Sequence, residues 1–283
     1  MQQRNFAFPL YLILGCVFLA DLIVAPAQTL LIDEPRPLAK AALLWELHSG
    51  IPVSYEDAPY AYSGDLIDET APAFKKDHPT ITAYNLRGGS LRLEINLPSR
   101  SADPAEFGPF VTAGIQKAIS DHALGAYPGR FKLSQTLDAL AIVPITVADK
   151  DGKFVSVVSP LDVAITFPTR LRDGLSAIEA ICQRINATAG KNLVGMGTMP
   201  PSLQFQQIAV GADKEIARNV LVRVLSGLQW SDSRNLGKPY RMSWRLLYGP
   251  DTNIQRYALN VHIVEVEKAS ANGVVGKIPV PRQ

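Results

Sequence analysis

Residues 30 to 57, "LLIDEPRPLAKAALLWELHSGIPVSYED", carry the pattern that organises the chain. An apolar run meets Pro35 and Pro37, a helical stretch follows to Ser49, Gly50 closes it, and a short apolar strand begins. Glycine just past a helix supplies the left-handed residue that ends the last turn. The same order returns at residues 163 to 197, "VAITFPTRLRDGLSAIEAICQRINATAGKNLVGMG". Each stretch is followed by another strand ("LRLEINL"; "LQFQQIAV"), a second helix and a closing strand pair.

Four helices are predicted, over about 38–49, 104–124, 175–189 and 214–226, each before a glycine (Gly50, Gly125, Gly190, Gly227). Asp103 and Asp213 are expected as caps for the second and fourth. Between helices the period is two. Leu91, Leu93, Ile95 and Leu97 share one face, as do Tyr240, Met242, Trp244, Leu246 and Tyr248, and Tyr257, Leu259, Val261 and Ile263. Such alternation predicts one-sided, mostly antiparallel sheets. The expected fold class is α+β, with two related modules, each of two helices on a small mostly antiparallel sheet. The boundaries are 28–150, with an inserted loop at 58–90, and 151–266, then a flexible tail at 267–283.

The chain has 283 residues, 47% hydrophobic and 19% charged, as a globular protein requires. A net charge of +2 without a basic cluster gives no field for nucleic acid. Arg4 precedes the apolar stretch from Phe6 to Ala20, and Ala25-Pro26-Ala27 is a small-x-small pattern. A signal peptide over 1–27, cleaved before Gln28, and export to the periplasm or medium are therefore expected. The rivals are an uncleaved anchor, the one route to the membrane, and lipidation at Cys16. Cys182 would then be the single thiol, a core residue at helical spacing with Leu175, Ile178 and Ile185.

"KAALLWELHSGIPVSY" (40–55) and "EIARNVLVRVLSGLQW" (215–230), with its hairpin, resemble the two halves of the short amino-terminal domain of secretins and TonB-dependent receptors. The resemblance covers most of residues 30 to 266, as one copy in each half, and rests on packing residues. No barrel, ring segment or plug follows within these residues, and the 58–90 insertion also departs from that pattern. The chain further resembles exported bacterial proteins sharing a "SYED.PY.Y.GDL" segment. The resemblance implies a periplasmic contact and assembly module without catalysis, whose partner is another envelope protein or a second copy.

For chemistry, "IPVSYEDAPYAYSGDLIDET" (51–70) stands out, with three tyrosines and five carboxylates. Glu56, Asp57, Asp65, Asp68 and Glu69 match no calcium-loop spacing, and no histidine joins them for zinc. The plain expectation is a strand ending at Tyr55, with the acids in water and the tyrosines on the sheet edge. The second copy lacks both acids and tyrosines here, so fold alone does not require them. Tyr55, Glu56, Asp57, Tyr60, Tyr62 and Asp65 are therefore the candidate partner contacts. No catalytic, cofactor or metal residue is assigned. His48 and His122 sit near helix ends, where a positive charge suits the dipole. His262 is expected in solvent, His78 in a loop, and no HExxH or GxSxG occurs. "DKDG" (149–152) reads as a hairpin turn and "GMG" (195–197) as too short for a dinucleotide site. "YALNVHIV" and "LRLEINL" are the strands expected near a sheet-edge contact. The sequence thus points to binding or assembly; the enzyme alternative is a hydrolase with its carboxylates between the modules.

Overall fold

A computed structural model describes residues 28–80, 82–95, 107–136, 139–188, 193–230, 238–250, 255–269 and 275–282. The 1–27 segment with Cys16, the Asp103 cap, Gly190 and Leu97 lie outside them. The first half contains β1 (Gln28–Glu34), α1 (Pro37–Ser49), β2 (Val53–Glu56), β3 (Leu66–Asp68), α2 (Pro72–Asp77), β4 (Tyr84–Leu86) and β5 (Gly89–Ile95). It continues with α3 (Phe107–Leu124), β6 (Arg130–Thr136), β7 (Ala139–Ala148) and β8 (Phe154–Ser156). The second half contains β9 (Ala164–Asp173), α4 (Gly174–Thr188), β10 (Leu193–Met196), β11 (Gln206–Ile216), α5 (Ala217–Gly227) and β12 (Gln229–Trp230). After these come β13 (Met242–Pro250), β14 (Gln255–Ile263), β15 (Glu265–Ala269) and β16 (Val275–Pro279). The class is α+β with mostly antiparallel pairing.

The two halves pair their strands alike. In the first, β1 runs antiparallel to β5, while β2 lies parallel to β7, which turns antiparallel onto β6. In the second, β9 runs antiparallel to β11, and β10 lies parallel to β14, itself antiparallel to β13. A further parallel pair, Arg245 with Tyr55 and Leu246 with Glu56, joins β13 to β2. The result is one seven-stranded sheet ordered β10-β14-β13-β2-β7-β6, with β8 on β7. The halves therefore share their sheet.

Apolar alternation along β7 shows what that sheet separates. Leu140 and Ile142 join a core of α1, α3 and β5 residues, including Trp45, Val111, Ile115 and Leu93. Ala141, Val143 and Val147 join the other core, built mainly from α4, α5, β13 and β14. The sheet is thus covered on both faces, and even Ser54 and Ser243 are fully buried. The expectation of one-sided sheets is corrected for β13 and β14, because each half lays its helices on the opposite face; β5 does bury one face, Leu91, Leu93 and Ile95.

Local chemistry accounts for most elements. Pro37 opens α1, and Gly50, at φ 71°, closes it by donating from its N–H to Glu46 O at 2.7 Å. Asp173 caps α4, accepting from Ser176 N at 2.9 Å and Ser176 Oγ at 2.6 Å. Gly114 lets α3 close on α1, since a Cβ there would sit 1.9 Å from the Trp45 ring. Side chains also tie α1 and α4 to the strands that follow: Glu46 accepts from Val53 N, and Asn186 from Val194 N at 2.7 Å.

Several boundaries differ from expectation. The strand β11 runs through Asp213 to Ile216, so α5 starts three residues late, without an Asp213 cap, and Gly227 is its last turn. β9 continues through Pro168 instead of ending there, with a shift in its register against β11 between Phe167 and Arg170. The 58–90 insertion forms a β3–β4 ladder with α2, and Ala58, Tyr60 and Leu86 enter the core. Within the expected tail, β16 pairs with β15, and Val266 and Val280 pack on Gly50. "YALNVHIV" is no free edge, because β14 is held by β10 and β13; β5 pairs with β1 alone among the described strands. Among the described residues no helix is long and apolar enough to cross a membrane.

Candidate functional site

The "SYED" stretch forms the joint between the halves. With only two residue pairs, the β2–β13 ladder is short, and side chains supply the rest of the junction. Asp57 Oδ2 accepts from Arg36 Nε at 2.7 Å and from Tyr248 N at 2.9 Å. Its Oδ1 accepts from Tyr55 at 2.7 Å and Tyr60 at 3.4 Å. Arg36 also donates to Tyr248 O at 2.9 Å, gripping β13 from the first half.

Glu56 points to the opposite face. Arg218, from α5, forks onto it with Nε to Oε1 at 2.8 Å and Nη2 to Oε2 at 2.7 Å. Ser159 donates to Oε2 at 2.5 Å and Trp244 Nε1 to Oε1 at 3.3 Å. The remaining amine of Arg218 binds Asp162. A third carboxylate, Glu46, accepts from Arg245 Nη2 at 2.9 Å and His262 Nε2 at 2.8 Å, besides Val53 N at 2.8 Å. Three first-half carboxylates thus each bind the second half: Asp57 the Tyr248 amide, Glu56 Arg218 and Trp244, and Glu46 Arg245 and His262.

All three carboxylates are buried, at 0 to 1% exposure. Burial favours a neutral Glu46, but Arg245, His262 and Ser243 more than offset it and hold its pKa below the usual value. Burial and the neighbouring Asp57 charge push the Tyr55 and Tyr60 hydroxyls well above the usual range. The Arg36 pKa is raised: burial opposes its charge, and Asp57 more than compensates. Asp57 and Glu56 each receive four donors, about the full capacity of a carboxylate. A general base needs a free lone pair facing substrate, and these have none. What the cluster can do is hold two halves together.

The six candidate contacts therefore separate. Tyr55, Glu56, Asp57 and Tyr60 are interior, so the expectation of acids in water is corrected for Glu56 and Asp57. Tyr62 and Asp65 are half-buried, and Asp68 and Glu69 are exposed. Asp68 pairs with Lys75, which with Thr70 lowers its pKa to about 2. Among the described residues no group of three or more His, Cys, Asp or Glu is placed to hold a metal.

The histidines depart as well. His122 is 3% exposed, stacked on Tyr127 at 4.5 Å, and burial with the Arg130 charge lowers its pKa to about 4. It is a neutral core residue, not a cation at a helix end. A signal existed: Phe107, Val111, Ile115, Ala118 and His122 form one helical stripe. His262, expected in solvent, is partly covered and bonded to Glu46. Cys182 is a core residue, as expected, its thiol pushed up to about 12 by burial. "DKDG" is the β7–β8 turn, with Gly152 at φ 79°.

The partners Arg36, Arg218 and Arg245 were missed. Arg218 lies within the buried stripe of α5, and a charge there signals a buried acid elsewhere.

A second feature is open. A cleft of about 1020 Å³ lies where β2, β7 and β13 begin, between the start of α3 and the end of α5. Trp244, Met242, Leu140 and Pro52 line it, together with Arg241 and Arg282. No protein family, curated protein or solved structure matches the chain.

Proposed function

We propose that the protein is a non-catalytic binding or assembly module of the bacterial cell envelope, acting through protein–protein contacts. One observation carries this reading. Glu56 and Asp57, two of the carboxylates that offered acid/base chemistry, are dry and fully bonded at the junction, while a large cleft combines apolar lining with two arginines. Concave apolar surface with a few polar groups is binding surface. The amino-terminal signal pattern supports a role outside the cytoplasm. The resemblance to the short domain of secretins and TonB-dependent receptors supports a contact role. The buried junction supports it too, since joined halves offer a rigid platform.

Crosslinking in the native envelope tests the reading. Slower-migrating adducts of this chain are expected with at least one crosslinker. Monomer alone under several crosslinkers of different reach would refute it.

A further inference from the structure

Every buried arginine of the junction meets a carboxylate: Arg36 with Asp57, Arg218 with Glu56, Arg245 with Glu46. The cleft between α3 and α5 breaks that pattern. Its charged lining residues are Arg241 and Arg282, and among the described residues no carboxylate lines it. Neither arginine forms an ion pair among the described residues. Arg241 gives one long bond, 3.3 Å, to Gly50 O. Arg282 donates to the carbonyls of Tyr240, Ser226 and Leu228 at 2.7 to 3.0 Å, and its Nη2, shielded from bulk water, has no acceptor. Burial without a neutralising acid lowers its pKa to about 10. Two cations beside the apolar surface of Trp244, Met242 and Leu140 form a field without a counter-charge among the described residues.

The size of the cleft bears on the occupant. About 1020 Å³ is far more than one inorganic anion fills and sits at the upper end of small-molecule sites. The polar groups at its walls, Thr112, Gln116 and Gln135, suit a backbone, and the apolar lining suits aliphatic or aromatic side chains. We propose that this cleft docks an acidic segment of a partner protein, its carboxylates against Arg241 and Arg282 and its apolar side chains against Trp244 and Leu140. This rests on the contact role above and names the chemistry of the partner.

The test uses the full chain and two fluorescein-labelled peptides, Gly-Glu-Leu-Glu-Phe-Glu-Gly and its glutamine counterpart, followed by anisotropy. The acidic peptide is expected to bind at least ~10-fold tighter, as charge-assisted bonds imply. Arg241→Gln should weaken it by about 5- to 10-fold. Ala113→Glu, an exposed α3 position in the wall, should do the same while leaving the circular dichroism and melting unchanged. Equal binding of both peptides, binding of neither, or indifference to Ala113→Glu would overturn the proposal. Displacement by citrate alone at equimolar concentration would assign the cleft to a small anion and overturn it too. Native crosslinks that survive both substitutions would locate the partner elsewhere, refuting this docking site and leaving the contact role standing. Absence of any crosslink in the unaltered chain would refute the role itself.

Discussion

Replacing Arg218 by methionine would isolate the junction. Arg218 is 5% exposed and supplies two of the four donors to Glu56, which is fully buried. The substitution keeps the aliphatic stem but leaves a buried carboxylate with only Ser159 and Trp244 as donors. Breaking a buried pair from one side costs about 3–5 kcal/mol. With a urea m-value of ~3 kcal/mol/M for a chain of this size, the midpoint should fall by about 1–1.7 M. Removing both charges, as Glu56→Leu with Arg218→Met, should recover at least ~2 kcal/mol, because no buried charge is left unpaired; Asp162, which also loses Arg218, is partly exposed. Urea unfolding monitored by circular dichroism measures both. Because the pair is dry, the loss should change little between roughly 0.05 and 0.5 M salt. A midpoint shift below ~0.3 M for Arg218→Met, or strict additivity in the double variant, would refute the claim that this pair fastens the halves.

Further outcomes are expected. His122, neutral when folded with its pKa lowered to about 4, binds protons more weakly than in the unfolded chain. Its stability contribution is therefore whole above about pH 6.5 and falls by up to about 3 kcal/mol as pH drops to 4. His122→Phe, which keeps the stack on Tyr127, should flatten midpoints measured across that window; an unchanged pH slope would contradict the neutral buried histidine. Gly114→Ala should lower the melting temperature, at a cost of about 1–3 kcal/mol, since its Cβ would fall 1.9 Å from Trp45 Cζ2. Any gain in melting temperature would show that α1 and α3 are not in close contact. The Cys182 thiol, buried and pushed up to about 12, should react with a disulfide reagent only in denaturant. Full labelling of the native protein within minutes would contradict that burial.

Much of the architecture is local enough to read from residue order. Gly50 after a helical run, the alternation of Met242, Trp244, Leu246 and Tyr248, and the Asp149–Gly152 turn each act within a few residues. Propensity and periodicity therefore place α1, α4, β13 and β14 closely. Boundaries failed where tertiary pairing overrides local preference: β9 holds β11 extended through Asp213 and Glu215, so α5 starts late.

The candidate site was half legible. A dense stretch of acids and tyrosines singled out "SYED" as a candidate contact, but its partners lie 21 to 191 positions away: Arg36 from Asp57, Arg218 from Glu56, Tyr248 from Asp57. An exposed acid and a buried paired acid look alike until the partner arginine is placed. The sequence by itself determined the four longer helices, the alternating strands and the repeated strand–helix–strand order, because these follow from spacing along the chain. Only the tertiary structure decided that β2 joins β13, that Glu46, Glu56 and Asp57 are interior, and that Arg241 and Arg282 share one cleft. Those facts depend on which distant side chains meet once water is expelled, and burial reverses what a charge prefers.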